Sequence, residues 1–261
     1  MAAPAPGTRR RRGPLVALGV AALAMVTAAA CTPVKGQLGG HPRTMLVGDS
    51  IAHSIQGHLA FSFAARGRAF EPSAQLGCSV VRGVITDFQG GPLPSANPCN
   101  EAMWGVHQTK VDTFRPDVVL WLDFFEGFPR QLEDGYFTPG TFPAPPGSIS
   151  GPTADARILQ LIEEKRAQFT AHGAVLVFVT VPPPPPGQDT PDQHRLRIPH
   201  LNNLLKRFVL EHPGTTALID LAAIACPPAG ESCPPSGLRT DGFHFSSDGA
   251  TWAAEQILAR L

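Results

Sequence analysis

Residues 43–66 read RTMLVGDSIAHSIQGHLAFSFAAR. Arg43 to Gly48 is a short apolar run of strand type, and from Ile51 to Arg66 apolar residues recur at helical spacing. Gly48-Asp49-Ser50 lies between them. Asp and Ser favour the start of a helix because their side-chain oxygens accept N–H groups left unpaired in its first turn. The stretch therefore predicts a strand passing through a tight turn into a helix. The pattern repeats further along. Phe70 to Leu76 is a weaker strand, and Val118 to Leu122 (VVLWL) is a buried strand entered just after Pro116. Ala174 to Val181 (AVLVFVTV) is the clearest strand, and Thr216 to Leu221 is the last. Helical spacing covers Ala154 to His172, Gln193 to Glu211 and Ser247 to Leu261. This alternation predicts an α/β fold, a three-layer α/β/α sandwich around a central, mostly parallel five-stranded sheet. In such sheets the ligand sits at the carboxyl ends of the strands. Two stretches interrupt the pattern. Glu126 to Pro152, rich in Gly, Pro and Phe, predicts a loop over the site, and Pro182 to Pro186 a stiff polyproline II segment.

Hydrophobic residues make up 43% of the chain and charged residues 16%, which suits a packed core rather than a disordered chain. The 21 Lys and Arg balance 21 Asp and Glu, so nothing points to nucleic acid. That balance hides an asymmetry. Four of the basic residues are Arg9 to Arg12, and the other 17 face all 21 acidic ones, a net charge of about −4.

Residues 1–31 predict an export signal. Arg9 to Arg12 form its positive head, Leu15 to Ala30 its apolar or small-residue run, and Ala28-Ala29-Ala30 a cleavage site. Such a run, as helix, reaches about 24 Å against a hydrocarbon core of ~30 Å, so a membrane span is the weaker reading. Cys31, directly after the cleavage site, suggests lipidation as in a bacterial lipoprotein, although Ala28 stands where such signals usually carry leucine. Residues 32–42 (TPVKGQLGGHP) predict a flexible tether, and 43–261 the folded domain. The expected location is the cell envelope, anchored or secreted, with membrane contact only through the N-terminal anchor. Cys78, Cys99, Cys226 and Cys233 show no zinc or redox spacing. Outside the cytoplasm, sequence-local pairing gives the disulfides Cys78–Cys99 and Cys226–Cys233. Four buried free thiols are the alternative.

The chemistry starts at Ser50. At a strand's carboxyl end and a helix N-terminus, its own N–H can face a developing oxyanion. Taken alone, Gly-Asp-Ser reads more readily as a helix cap. Asp241-Gly242-Phe243-His244, before the last helix, changes the balance. Spacing of three can place carboxylate and imidazole on one side of a turn. A serine hydroxyl needs a base to take its proton, and the base needs a group that fixes its tautomer. Asp241, His244 and Ser50 supply these parts. The histidine pairs His53/His58 and His194/His200 are spaced five and six apart, where metal ligands on one helical face want three or four. No metal and no cofactor are expected. Asp123 and Glu126 form a carboxylate pair on one loop, which without a second signature carries little weight for glycosidase work.

With MLVGDSI as first block and DGFHFSSDGA as last, the sequence resembles the SGNH (GDSL-like) hydrolase superfamily over Thr44 to Leu261. The resemblance implies acyl transfer or hydrolysis on esters, including those of polysaccharides and lipids. It makes Ser50 the nucleophile, with Asp241 and His244 as acid and base. Gly77, in Leu76-Gly77-Cys78, matches the glycine whose N–H joins that of Ser50 in the oxyanion hole; a plain turn glycine is the alternative. One block departs. Where the family has an Asn that donates to the oxyanion, Asp123-Phe124-Phe125-Glu126 puts Phe125, which donates nothing. This ending, the Gly-Cys and the Arg239-to-Ser246 stretch are similar to SGNH domains attached to bacterial membrane O-acyltransferases. Such an enzyme is therefore an expected partner. Asp123, Phe125 and Glu126 are candidate substrate contacts. The expected function is an exported serine esterase or O-acyltransferase acting on acylated envelope carbohydrate or lipid. Phe125 favours the alternative, a non-catalytic glycan-binding module that keeps the pocket.

Overall fold

The computed structural model describes residues 41–87, 89–91, 93, 99–140, 145–184, 192–226 and 237–261. The chain divides into Met1–Thr32 and Pro33–Leu261, and the description concerns the second unit. The expected export signal, Cys31, the tether up to residue 40, Cys233 and the end of the polyproline segment lie outside the described residues.

Strand β1 (Thr44–Gly48) leads through Asp49 into helix α1 (Ser50–Ala64), then β2 (Phe70–Ala74) and a two-residue β3 (Val84–Ile85). Helix α2 (Asn100–Phe114) and β4 (Val118–Leu122) follow, then the short strands β5 (Arg130–Leu132), β6 (Gly135–Thr138) and β7 (Ile149–Ser150). Helix α3 (Pro152–Phe169), β8 (Val175–Val179), α4 (Asp192–Glu211), β9 (Thr216–Ile219), α5 (Leu221–Ala225) and α6 (Ser247–Leu258) complete the chain.

Five strands form one sheet in the order β2-β1-β4-β8-β9, every pair parallel. Strand side chains alternate between faces, so a sheet covered on both sides needs apolar residues at every position. VVLWL and VLVFV supply them. Leu46, Leu120, Leu122 and Val177 enter one core with Ile51, Ile55 and Leu59 of α1 and Ala253 and Ile257 of α6. Met45, Val47, Val119, Trp121 and Phe178 enter the other, against Val111 of α2, Ile158 and Ile162 of α3, and Leu205 and Phe208 of α4. Each fully buried aliphatic or Phe side chain contributes roughly 1.5–3 kcal/mol. The expected three-layer α/β/α architecture is the observed one.

Two stretches differ from the sequence expectation. Glu126 to Pro152 is not simply a loop, since β5, β6 and β7 join β3 in a second sheet ordered β3-β5-β6-β7. Strands of two to four residues are too short to show alternation. Helix α2 has no counterpart in the reading above because, among its described side chains, only His107 and Val111 are buried.

The sheet order positions the site. After β1 the chain goes to β2 on one side and later returns to β4 on the other, so a crevice opens beyond the ends of β1 and β4. Gly48, the last residue of β1, lies opposite Leu122, the last of β4. Its φ is +148°, and a Cβ there would stand 1.8 Å from the Leu122 carbonyl oxygen. Only glycine lets the two strands close here, and Asp49 and Ser50 follow at once.

Candidate active site

Asp49 is fully buried and caps α1, its Oδ1 accepting the Ile51 N–H at 2.8 Å. Its Oδ2 accepts the Phe124 N–H at 3.1 Å, which ties the start of α1 to the segment after β4. Ser50 follows, half-buried, as the first residue of α1. Burial drives the Asp49 carboxyl up to about 7, against the pull of the two N–H donors.

Asp241 and His244 sit on a tight loop. Thr240 N–H bonds to His244 O at 3.0 Å and Ser246 N–H to Leu238 O at 3.0 Å, so 238–246 folds back on itself. Gly242 at its tip has φ +87°, a left-handed conformation that suits glycine. Asp241 Oδ1 accepts the N–H groups of Phe243 (3.0 Å) and His244 (2.8 Å), while Oδ2 meets His244 Nδ1 at 2.6 Å. Burial alone would raise the Asp241 carboxyl, but the hydrogen bonds from His244 and from the backbone hold it below its usual range. A carboxylate on Nδ1 assigns the proton to that nitrogen and leaves Nε2 as the acceptor.

Two contacts brace this loop against the other blocks. Phe245 N–H donates to Ser54 Oγ at 3.3 Å, one turn along α1 from Ser50. Phe243 stacks on Phe124 with ring centroids 5.5 Å apart. Within the loop, buried Arg239 donates from Nη2 to Pro182 O at 2.9 Å and lies over the Phe245 ring. Helix α6 comes so close that a Cβ on Gly249 would stand 2.0 Å from the Leu238 carbonyl oxygen. Among the described residues Ser50 makes no side-chain hydrogen bond to His244, and such contacts commonly tighten only with substrate in place.

Gly77 lies half-buried in the turn after β2 with φ +69°. Gln75, two residues before it, donates its N–H to Gly48 O at 2.9 Å. Cys78, the next residue, is bonded to Cys99 as expected. Among the described residues neither the Ser50 nor the Gly77 N–H donates to a protein acceptor. Cys226 is disulfide-bonded as well, and Cys233, its expected partner, lies outside the described residues.

The candidate substrate contacts Asp123, Phe125 and Glu126 are instead turned inward, at 2%, 9% and 1% exposure. The Phe125 ring packs against Phe124 and Phe128 at centroid distances of 4.9 and 5.4 Å. Its N–H goes to Asp123 Oδ1 at 2.6 Å. Glu126 Oε1 accepts three bonds, from Ser79 Oγ (2.6 Å), Val80 N–H (3.2 Å) and Val81 N–H (3.2 Å). Nothing in the sequence marked Ser54, Ser79 or Arg130 as neighbours of this site, and Arg239 was marked only through the resemblance of the 239–246 stretch. The bonds from Phe245 to Ser54, from Ser79 to Glu126, from Arg130 to Arg82 and Ser79, and from Arg239 to Pro182 join segments tens of residues or more apart.

A family model described as the SGNH domain (fused to AT3 domains) matches residues 25–259. The chain belongs to this family. No curated protein matches it by sequence. Solved structures share the SGNH domain's fold. One, described as an acylhydrolase from Bacteroides fragilis, is 13% identical with TM-score 0.52, covering 92% of this chain and 94% of its own. The acetyl xylan esterase AlAXEase is 13% identical with TM-score 0.53, covering 83% of this chain and 98% of its own. The periplasmic domain of a lipopolysaccharide acetyltransferase from Salmonella ser. Paratyphi A is 11% identical with TM-score 0.51, covering 91% and 88%. At these identities the likeness establishes the α/β fold.

Proposed function

We propose that this SGNH domain is an exported serine esterase or O-acyltransferase that works on acyl esters of envelope carbohydrate or lipid. The observation that carries the reading is the 2.6 Å contact between His244 Nδ1 and Asp241 Oδ2, on a loop bonded to the helix that Ser50 begins. In the proposed reaction Ser50 Oγ attacks the acyl carbonyl while His244 Nε2 takes the Oγ proton. The N–H groups of Ser50 and Gly77 receive the oxyanion. His244 returns the proton to the departing alcohol, leaving acyl-Ser50. Water or a sugar hydroxyl then attacks the acyl group, again with His244 as base, and Ser50 is regenerated.

Family membership and the likeness to an acetyl xylan esterase and a lipopolysaccharide acetyltransferase domain support acyl chemistry. The Cys78–Cys99 disulfide supports an oxidising compartment, and with the signal-like 1–31 it favours export. No helix among the described residues is long and apolar enough to cross a membrane. A family description that couples SGNH to AT3 domains favours a membrane O-acyltransferase as partner. Buried Phe125, with no side-chain donor where the wider SGNH superfamily carries Asn, favours the second reading, a glycan-binding module.

Kinetics separate the two. Ser50→Ala and His244→Ala are each expected to abolish hydrolysis of a short-chain p-nitrophenyl ester while the melting temperature holds. Wild-type rates in Ser50→Ala would end the enzyme reading.

A further inference from the structure

We propose that Glu126 is a positioning residue that fixes the backbone N–H of Gly77 in the oxyanion hole. The proposal rests on the catalytic reading above.

Glycine in a left-handed turn is conformationally permissive, so the direction of the Gly77 N–H is not set by its own sterics. Anchors on either side must set it. Upstream, the Gln75 N–H bonds to Gly48 O, two residues from Ser50. Immediately downstream, the disulfide holds Cys78 to Cys99. After that comes Glu126, whose single oxygen Oε1 gathers the Ser79 hydroxyl and two successive N–H groups, Val80 and Val81. Arg130, fully buried, extends the clamp. It donates to Arg82 O at 2.8 Å, to Phe125 O at 3.2 Å and to Ser79 Oγ at 3.4 Å. Strand β3 then pairs with β5 at Ile85 and Arg130. Residues 79–85 are thus tethered to the segment after Phe125 at Glu126, Arg130 and Gln131.

Electrostatics favour Glu126 as the ionised member of this cluster. Burial pushes the Asp123 carboxyl well above its usual range, helped by the charges of Asp49 and Glu126. Burial would do the same to Glu126, but the Asp123 hydrogen bond, Arg130 and Ser79 outweigh it and hold the group down. Among the described residues neither Asp123 Oδ2 nor Glu126 Oε2, both buried, has a protein donor. One proton, on Asp123 and donated to Glu126, satisfies both. Asp123 thus orients Glu126, and Glu126 orients the loop. Where the wider SGNH superfamily presents a side-chain donor, this chain has a hydrophobic ring followed by a carboxylate that organises backbone donors instead.

The test compares Glu126→Ala, Glu126→Gln and Ser79→Ala on a short-chain p-nitrophenyl ester, with melting curves and fluorophosphonate labelling of Ser50 in the wild type. A misplaced oxyanion donor acts on the transition state, so kcat should fall with little change in KM. Glu126→Ala is expected to lose about 10² in kcat while KM moves less than about threefold. Glu126→Gln keeps an acceptor oxygen and is expected to recover most of that loss. Ser79→Ala removes the 2.6 Å bond to Glu126 and the 3.4 Å bond from Arg130 while leaving both N–H bonds to Glu126, and guards against an Ala variant that does not fold; it is expected to lose about tenfold in kcat, again at unchanged KM. Folded Glu126→Ala with wild-type kcat would overturn the proposal, as would Ser79→Ala with wild-type kcat. So would a folded variant whose loss lies in KM. A wild type that neither turns over esters nor labels at Ser50 would overturn the catalytic reading and this proposal with it.

Discussion

Asp49 Oδ2 accepts the N–H of Phe124 at 3.1 Å, so the residue before Ser50 is bonded to the segment that holds Phe125 and Glu126. Asp49 also accepts the Ile51 N–H at the start of α1. One buried side chain therefore ties the helix that Ser50 begins to the segment that carries Phe125. That arrangement has a measurable signature in pH.

The Asp49 carboxyl is raised by burial from 3.8 to about 7 in the folded protein. Between about pH 4 and 7 the folded state holds a proton that the unfolded chain has released, so this group's stabilising contribution is lost as pH rises through that window. His107 acts in the opposite sense. Burial pulls it down from 6.5 to about 3, so stability is lost as pH falls below 6.5. Because the windows overlap, the comparison is wild type against Asp49→Asn, which lacks the titration. The difference in melting temperature, wild type minus variant, is expected to be larger at pH 5 than at pH 7.5. A difference independent of pH would contradict this account of Asp49.

The Cys78–Cys99 bridge spans a sequence separation of 21. A loop of that size is worth about 3 kcal/mol on the chain-entropy estimate. The double variant Cys78→Ser/Cys99→Ser spares the Cys226 bond. Its melting temperature is expected to fall by about 6–12 °C for a domain of this size. An unchanged melting temperature would show that the bridge does not constrain the fold.

Phe125→Asn introduces the residue that the wider SGNH superfamily carries here. In this structure position 125 points into the Phe124 and Phe128 cluster, and its ring is 9% exposed. The substitution is expected to cost roughly 3 kcal/mol in a denaturant melt, through lost packing and a buried polar group. It is expected to leave kcat no higher than wild type. A rise in kcat would place the new amide in a vacant donor position and sink the inward-facing assignment.

The central sheet was legible in the sequence because VVLWL and VLVFV are apolar at every position, the pattern of strands covered on both faces. Asp241 and His244 were legible because a spacing of three is local, and the structure joins them at 2.6 Å. Glu126 was visible only as a loop carboxylate. Its three partners lie 45 to 47 residues away in the chain, and no local pattern records such contacts. Burial also reversed the expected orientation of Asp123 and Phe125, since polar and aromatic residues on a Gly/Pro-rich stretch carry no periodicity that tells inside from outside.

In the proposed reaction the acyl group passes through Ser50. Incubating the protein with p-nitrophenyl acetate, quenching in acid and mapping peptides by mass tests it most directly. An acetyl group on Ser50, absent from Ser50→Ala and sharply reduced in His244→Ala, is the expected result. Ester turnover by the wild type with acetyl on another residue, or undiminished turnover by Ser50→Ala, would contradict it.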